Sequence, residues 1–152
     1  MCDDCQTFFH YLGREELLDP CGGFEAVLIT PQQLSITEGT EHLRCARLSP
    51  KGTLRWYAGC CRTPLGNSLA RPGLAFATLS MAMVDPSIDE NAREELFGPV
   101  VAKVNGRYSR LPLGEGAHPK SPIGVVLGSG WRLLRSTLAR RNTPSPFYDE
   151  RA

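Results

Sequence analysis

A chain of 152 residues is long enough to build one domain with its own core and short for two. Its 41% hydrophobic and 22% charged content is ordinary for a globular protein, and a net charge of +1 supplies no global field for nucleic acid or an anionic membrane. No run of about 18 apolar residues suggests a membrane span, and a start rich in Cys and Asp is unlike a signal peptide, so a cytoplasmic setting is expected. In such a reducing setting six cysteines are expected as metal ligands, reactive thiols or core residues rather than as disulfides.

Taken in order, the chain opens on Cys2-Asp3-Asp4-Cys5, a C-x-x-C whose spacing lets two sulfurs share one ion. The same spacing serves redox chemistry, usually at a strand–helix junction. Gln6 to Leu12 reads as a short helix or turn carrying aromatics beside the thiols. His10 within it reads as a rim or core residue, and Cys21, beside Gly22-Gly23, as a small turn residue. Phe24–Thr30 and Leu34–Thr37 read as strands broken at Pro31. His42–Leu48 alternates and makes a third, with Cys45 expected to be buried as a small apolar residue. Ser49-Pro50-Lys51-Gly52 is a hairpin turn leading into Thr53–Tyr57. Residues 24–57 are therefore expected to form an antiparallel meander.

The stretch from Arg55 to Asn67 is the expected centre: an aromatic strand running through Gly59 into Cys60-Cys61 and stopped at Pro64. A strand ending in a Cys-bearing knuckle is how zinc-ribbon-like sites aim thiolates. Beyond it, Leu74–Val84 is apolar and is taken as a buried strand. Asp89–Phe97 is a helix capped by Ser87 or Asp89 and ended by Gly98-Pro99. Val100–Val104 is a short strand or a packing partner of that helix, and Asn105-Gly106 a turn. Ile123–Arg141 is a helix with Val126, Leu127, Trp131, Leu134 and Leu138 at helical spacing and Arg132, Arg135, Arg140 and Arg141 around its outer side. A basic amphipathic helix suits membranes, RNA or acidic partners, but also a plain solvated face with arginines at its C-terminal end, and this last is the expectation. Neither nucleic acid nor membrane is expected as a partner. Residues 142–152 form a polar tail in which Phe147-Tyr148 can dock on the body.

Cys2-Asp3-Asp4-Cys5-Gln6 together with Cys61-Arg62-Thr63-Pro64-Leu65 resembles the glutathione-dependent formaldehyde-activating enzyme (GFA) and CENP-V family, over roughly residues 1–83. The resemblance implies a mainly β chain with a β-tent fold: antiparallel sheets, with residues 84–141 as a helix-containing addition within one domain, 1–152. It implies zinc and, for some members, carbon–sulfur lyase activity on a glutathione adduct. Carried over by position, Cys2 and Cys5 match two cysteines of the family's catalytic-type zinc site, and Cys61 one of its structural site, with Cys60 as a displaced substitute. The family's upstream cysteine pair has no counterpart here, and the C-x-C-x-x-C would be complete only with a residue before Met1. Three arrangements follow: a site completed upstream, one merged from Cys2, Cys5 and Cys61 or Cys60, or cysteines that only pack.

Two functions are carried forward. One is zinc-assisted chemistry on a small thiol adduct, with Arg44, Arg47, Arg55 or Arg62 clamping a glutathione carboxylate. The other is a non-catalytic zinc-stabilised β module that binds a protein or ligand. No serine–histidine–acid triad, phosphate loop or meaningfully spaced carboxylate pair is visible.

Overall fold

Leu54–Ala58, the strand that runs into the cysteine knuckle, is hydrogen-bonded on both edges. In the computed structural model, which describes residues 2–147, it is β3 of five strands: β1 (Ala26–Ile29), β2 (Leu43–Ala46), β3, β4 (Pro64–Ser68) and β5 (Ala77–Ser80). They form an antiparallel sheet in the order β1-β5-β4-β3-β2. Three helices accompany it: α1 (Asp3–Leu12), α2 (Glu90–Phe97) and α3 (Ile123–Leu138). The antiparallel sheet and the C-terminal helix match expectation. "Mainly β" does not, because helices and 3-10 turns take up more of the described residues than strands do.

α1 forms where local chemistry favours it. Cys2 caps its N-terminus, its sulfur accepting from the Cys5 N–H at 3.2 Å, and Asp3 and Asp4 put negative charge at the positive end of the helix dipole. Gly13, at φ 62°, ends it in the left-handed conformation, and its N–H closes onto the carbonyls of Phe9 and His10. One face of α1 carries Phe8, Phe9 and Leu12, all buried, against Leu17, Leu18, Phe24, Ala46 and Tyr57. Trp56 and Tyr57 point to opposite sides of β3 because side chains alternate along a strand. Tyr57 meets Phe8 edge-on, while Trp56 stacks on Phe147 with ring centres 4.9 Å apart and donates its Nε1–H to Ser68 Oγ. The expected docking of Phe147 is therefore present; Tyr148 and the residues after it lie outside the described residues, as does Met1.

Several expectations need correction. The meander runs from β2 to β5, not over residues 24–57: β1 pairs with β5, Val27 opposite Leu79, and sits at the far edge from β2. The chain is turned away after β1 by a capping box at Thr30-Pro31-Gln32-Gln33, in which the Thr30 N–H donates to Gln33 Oε1 at 2.8 Å. Leu34–Thr37 then runs as a loop without strand partners. Leu74–Val84 is a strand only over Ala77–Ser80. A 3-10 turn over Met81–Met83 follows, where Ser80 Oγ accepts from the Ala82 N–H. Val100–Val104 contributes one bridge, Lys103 to Ala117, rather than a strand. α2 begins at its Asp89 cap, whose carboxylate accepts from the Ala92 N–H, and ends at Gly98, as expected.

The largest departure is α3. Its apolar stripe faces water, and the side turned toward the body carries Val125, Ser129, Leu133, Ser136 and Thr137. The helix is tied down by polar contacts near its end, where Thr137 Oγ1 accepts from the Ala75 N–H at 2.9 Å and Asn142 donates to the Pro72 carbonyl.

Gly66 of β4 faces Trp56 on one side and Leu79 on the other, and a Cβ there would lie 1.9 Å from the Thr78 carbonyl oxygen. Gly66→Ala is expected to lower unfolding free energy by roughly 2–3 kcal/mol or more, because backbone must move to admit the methyl. Gly114→Ala, with nothing within 4 Å of its Cβ, is expected to stay within about 0.5 kcal/mol. Urea midpoints of the two variants check the contrast.

Candidate functional site

The sulfur atoms lie in two groups. The first is at the start of α1. The cap geometry sets the Cys2 and Cys5 Cα atoms 5.2 Å apart, within disulfide range, and the two are bonded. This differs from the expectation that the cysteines would not pair. Beside them Arg55 rises from β3 with its side chain 7% exposed. Its Nη1 lies 3.8 Å from Cys5 Sγ, its Nη2 3.7 Å from Asp4 Oδ2, and its guanidinium carbon 5.5 Å from the centre of the Phe8 ring. Burial pushes the Arg55 guanidinium below its ordinary pKa, and the Asp4 carboxylate works against that.

The second group is the turn between β3 and β4. Two backbone bonds close it, from the Arg62 N–H to the Ala58 carbonyl at 2.7 Å and from the Ala58 N–H to the Thr63 carbonyl at 2.9 Å. Arg62 takes the left-handed conformation, φ 58°, to complete it. Cys60 and Cys61 are thereby displayed together, both exposed. Gly59 lets the turn sit close to β2: its N–H donates to the His42 carbonyl, and a Cβ would press the Arg44 side chain at 2.9 Å.

Cys61 is held by a short relay. Its Sγ is 3.1 Å from Thr63 Oγ1, and Arg14, one residue past the end cap of α1, donates to Thr63 Oγ1 at 3.3 Å and to the Cys61 carbonyl at 2.7 Å. The Thr63 hydroxyl, filled by Arg14 on one side, is free to donate to sulfur on the other. That hydrogen bond, then the Thr63 N–H, with the Cys60 thiol and Arg14 contributing less, holds the Cys61 thiol below its ordinary pKa. Cys45 behaves oppositely. It is exposed on β2, not buried as expected, yet partial desolvation of its sulfur pushes that thiol up against the pull of the Arg55 backbone and Arg47.

Beside the turn lies a recess of about 340 Å³ lined by Tyr11, Leu12, Arg44, Tyr57, Gly59 and Arg62. Of the four arginines expected to clamp a carboxylate, the structure brings Arg44 and Arg62 together here. Arg44 also donates from Nη1 to the Glu41 and Leu43 carbonyls, both at 2.8 Å. Arg47 is engaged with the Gly52 carbonyl in the β2–β3 hairpin, and Arg55 belongs to the Cys2–Cys5 end. Tyr11 and Tyr57 cross edge-on at 6.4 Å, and the neighbouring Tyr11 hydroxyl raises the Tyr57 pKa. No motif marks this recess in the sequence; Tyr11 and Tyr57 become neighbours only when α1 lies across β3. His10 pairs with Glu15 and is exposed, and Cys21 is half-buried in its turn, both as expected.

Cys2 and Cys5 stand apart from Cys60 and Cys61 along the fold. Cys2 and Cys5 start α1, whereas Cys61 is anchored by Arg14 past its other end, and ten helical residues rise about 15 Å. Zinc needs three or four convergent donors. Among the described residues no group of three or more His, Cys, Asp or Glu side chains is placed to hold a metal ion. Cys2 and Cys5 supply two donors once reduced, next to the cationic Arg55, and do not complete a zinc site by themselves.

The model of a family of unknown function, DUF6151, matches residues 1–151. No curated protein and no solved structure matches the chain. The family match overturns the resemblance to the GFA and CENP-V family: the C-x-x-C and C-x-T-P-L pair that carried it spans few residues, and no match to that family accompanies the one that covers nearly the whole chain.

The opposed thiols give a direct test. A thiolate, not a thiol, attacks an alkylating agent, so the pH of half-maximal alkylation follows each pKa. Cys61 is expected to react at lower pH than Cys45. Thr63→Val removes the hydroxyl donor and is expected to move the Cys61 profile to higher pH, leaving Cys45 in place. Mass spectrometry of iodoacetamide-treated protein across pH reads both.

Proposed function

Since the chain belongs to DUF6151, a family of unknown function, we propose its function from the site alone: Cys61 and the adjoining Arg44–Arg62 recess engage a small, carboxylate-bearing thiol or its adduct, of the glutathione class. The observation that carries this is the convergence at one turn of a thiol held below its usual pKa and a recess lined by two arginines. A guanidinium pair holds a carboxylate by charge-assisted bonds, and the tyrosines flank the remainder of the ligand. With a disulfide of that class the chemistry is exchange. The Cys61 thiolate attacks one sulfur, the disulfide bond breaks, a mixed disulfide forms on Cys61, and the second thiol leaves as thiolate. Electrons balance without a further oxidant. Arg14 and Thr63 ease the ionisation of Cys61, and the recess selects the partner.

A second reading concerns zinc. The contact of the Cys2 and Cys5 sulfurs favours it, since a reduced C-x-x-C chelates the ion with two of the four ligands it takes. Zinc there would be structural, tying the start of α1 as the disulfide does, in keeping with a zinc-stabilised module rather than with chemistry at Cys61.

Incubation with glutathione disulfide, followed by intact-mass and peptide analysis, tests the first reading. The mixed disulfide is expected mainly on Cys61. Arg44→Gln with Arg62→Gln should raise the concentration needed by about tenfold, the scale of one charge-assisted contact. Labelling spread evenly over Cys21, Cys45, Cys60 and Cys61, or indifference to the arginine variants, would sink the proposal. Elemental analysis of protein purified under reducing conditions tests the second: about one zinc per chain, lost in Cys5→Ser, supports it and requires further ligands beside the two sulfurs, and its absence removes zinc from this end of α1.

A further inference from the structure

The apolar stripe of α3 points away from the body. Ile123, Leu127, Trp131, Leu134 and Leu138 are between 49% and 78% exposed. At 100° per residue all five fall within roughly an 80° sector, opposite Val125, Ser129, Leu133 and Ser136. Large side chains aligned this way on an exposed helix mark a surface that meets something else. The charge around them is of one sign. From Gly116 to Tyr148 the sequence has no Asp or Glu, but it has Lys120, Arg132, Arg135, Arg140 and Arg141. Arg135 borders the stripe, Arg132 lies further round toward the body side but is exposed, and Arg140 and Arg141 come just past the helix end. No helix among the described residues is long and apolar enough to cross a membrane, so this one can lie along a surface but not through it.

We propose that α3 is an interfacial helix that seats the protein on an anionic lipid surface, with its Ile123–Leu138 stripe in the acyl boundary and its arginines at the headgroups. An amphipathic helix with Trp and Leu on one face and arginines beside it is the form that lies in the headgroup plane. The polar anchoring of its body side, through Thr137 and Asn142, leaves the stripe outward, as such seating requires. A second copy of the chain is the rival occupant, because the alternating four- and three-residue spacing of Leu127, Trp131, Leu134 and Leu138 also suits a helix pair. Pairing two such helices sets basic flanks side by side with no acidic residue to oppose them, whereas anionic headgroups neutralise them.

Co-sedimentation of the full chain with vesicles of phosphatidylcholine, with and without phosphatidylglycerol, tests the proposal. Binding is expected only to the anionic vesicles, weakened by salt, with a blue shift of Trp131 emission that Trp131→Phe removes. Arg132→Glu with Arg135→Glu is expected to weaken binding by about tenfold or more, and Leu127→Ser with Leu134→Ser to abolish it. Both pairs are exposed, so unchanged melting temperatures are expected and confirm folded protein. Failure to bind anionic vesicles, or binding unaffected by either pair, overturns the proposal. So does a dimer seen by light scattering without lipid that the leucine variants dissolve, which assigns the stripe to a second copy.

Discussion

Burying the Arg55 guanidinium imposes a condition on everything packed against it. An unpaired buried charge costs several kcal/mol, so the residue can sit under α1 only if the helix brings compensation with it. It does so in its first turns: Asp4 as counter-charge, Cys5 sulfur as a weak acceptor, and the face of Phe8 as a cation–π partner. The start of the helix is also fixed by the Cys2 cap and the Cys2–Cys5 bond. The helix is thus registered on β3 at its first turn, the positions of Phe8, Phe9 and Leu12 follow from the 3.6-residue repeat, and Arg14 follows from the Gly13 cap. Removing Arg55's partners would leave the charge stranded, while removing the charge would leave Asp4 only a solvated carboxylate.

That registration is what assembles the candidate site at the far end. Arg14 reaches Thr63 and the Cys61 carbonyl because α1 ends where the β3–β4 turn begins. Tyr11 meets Tyr57 for the same reason. The two sulfur groups are consequently linked through a rigid rod while being too distant to share a ligand. Their chemistry separates accordingly. At the first, a cation lies against a cross-linked pair in a fixed turn; at the second, an exposed thiol held below its ordinary pKa lies next to a recess lined by two arginines. The first is suited to holding the helix in place and the second to meeting a small molecule.

The sequence made local features legible and misled about long-range ones. α1, the Ser49–Gly52 hairpin, the Asp89 cap and Gly98 end of α2, and the extent of α3 are written in caps, turns and periodicity, which act over a few residues. The pairing of β1 with β5 is not, because a strand's partner depends on which edge is open once β2 to β5 have formed, and the capping box at Thr30 decides where the chain goes next. Cys61 was visible as part of a knuckle, but its setting depends on Arg14, 47 residues away. The placing of the two cysteine pairs at opposite ends of α1 was hidden for a related reason. Spacing says which sulfurs share a turn, whereas the separation of two turns is set by the length of the helix between them.

α3 shows the opposite limit of pattern reading. Its periodicity identified the helix correctly and its apolar face as well, but periodicity says only that a helix has an apolar side, not what that side touches. The usual inference, that it packs on the core, holds when the core has room. Here Ala75, Ala77, Met81 and Phe147 are buried while the stripe stays exposed, and the helix is fastened by Thr137 and Asn142 instead. Polar fastening leaves burial of the stripe as an unused source of free energy. At about 25 cal/mol per Å² even partial coverage of five large side chains amounts to several kcal/mol. A surface of that kind, rimmed by arginines without a matching acid, is disposed toward an apolar phase with a negative edge more than toward a copy of itself.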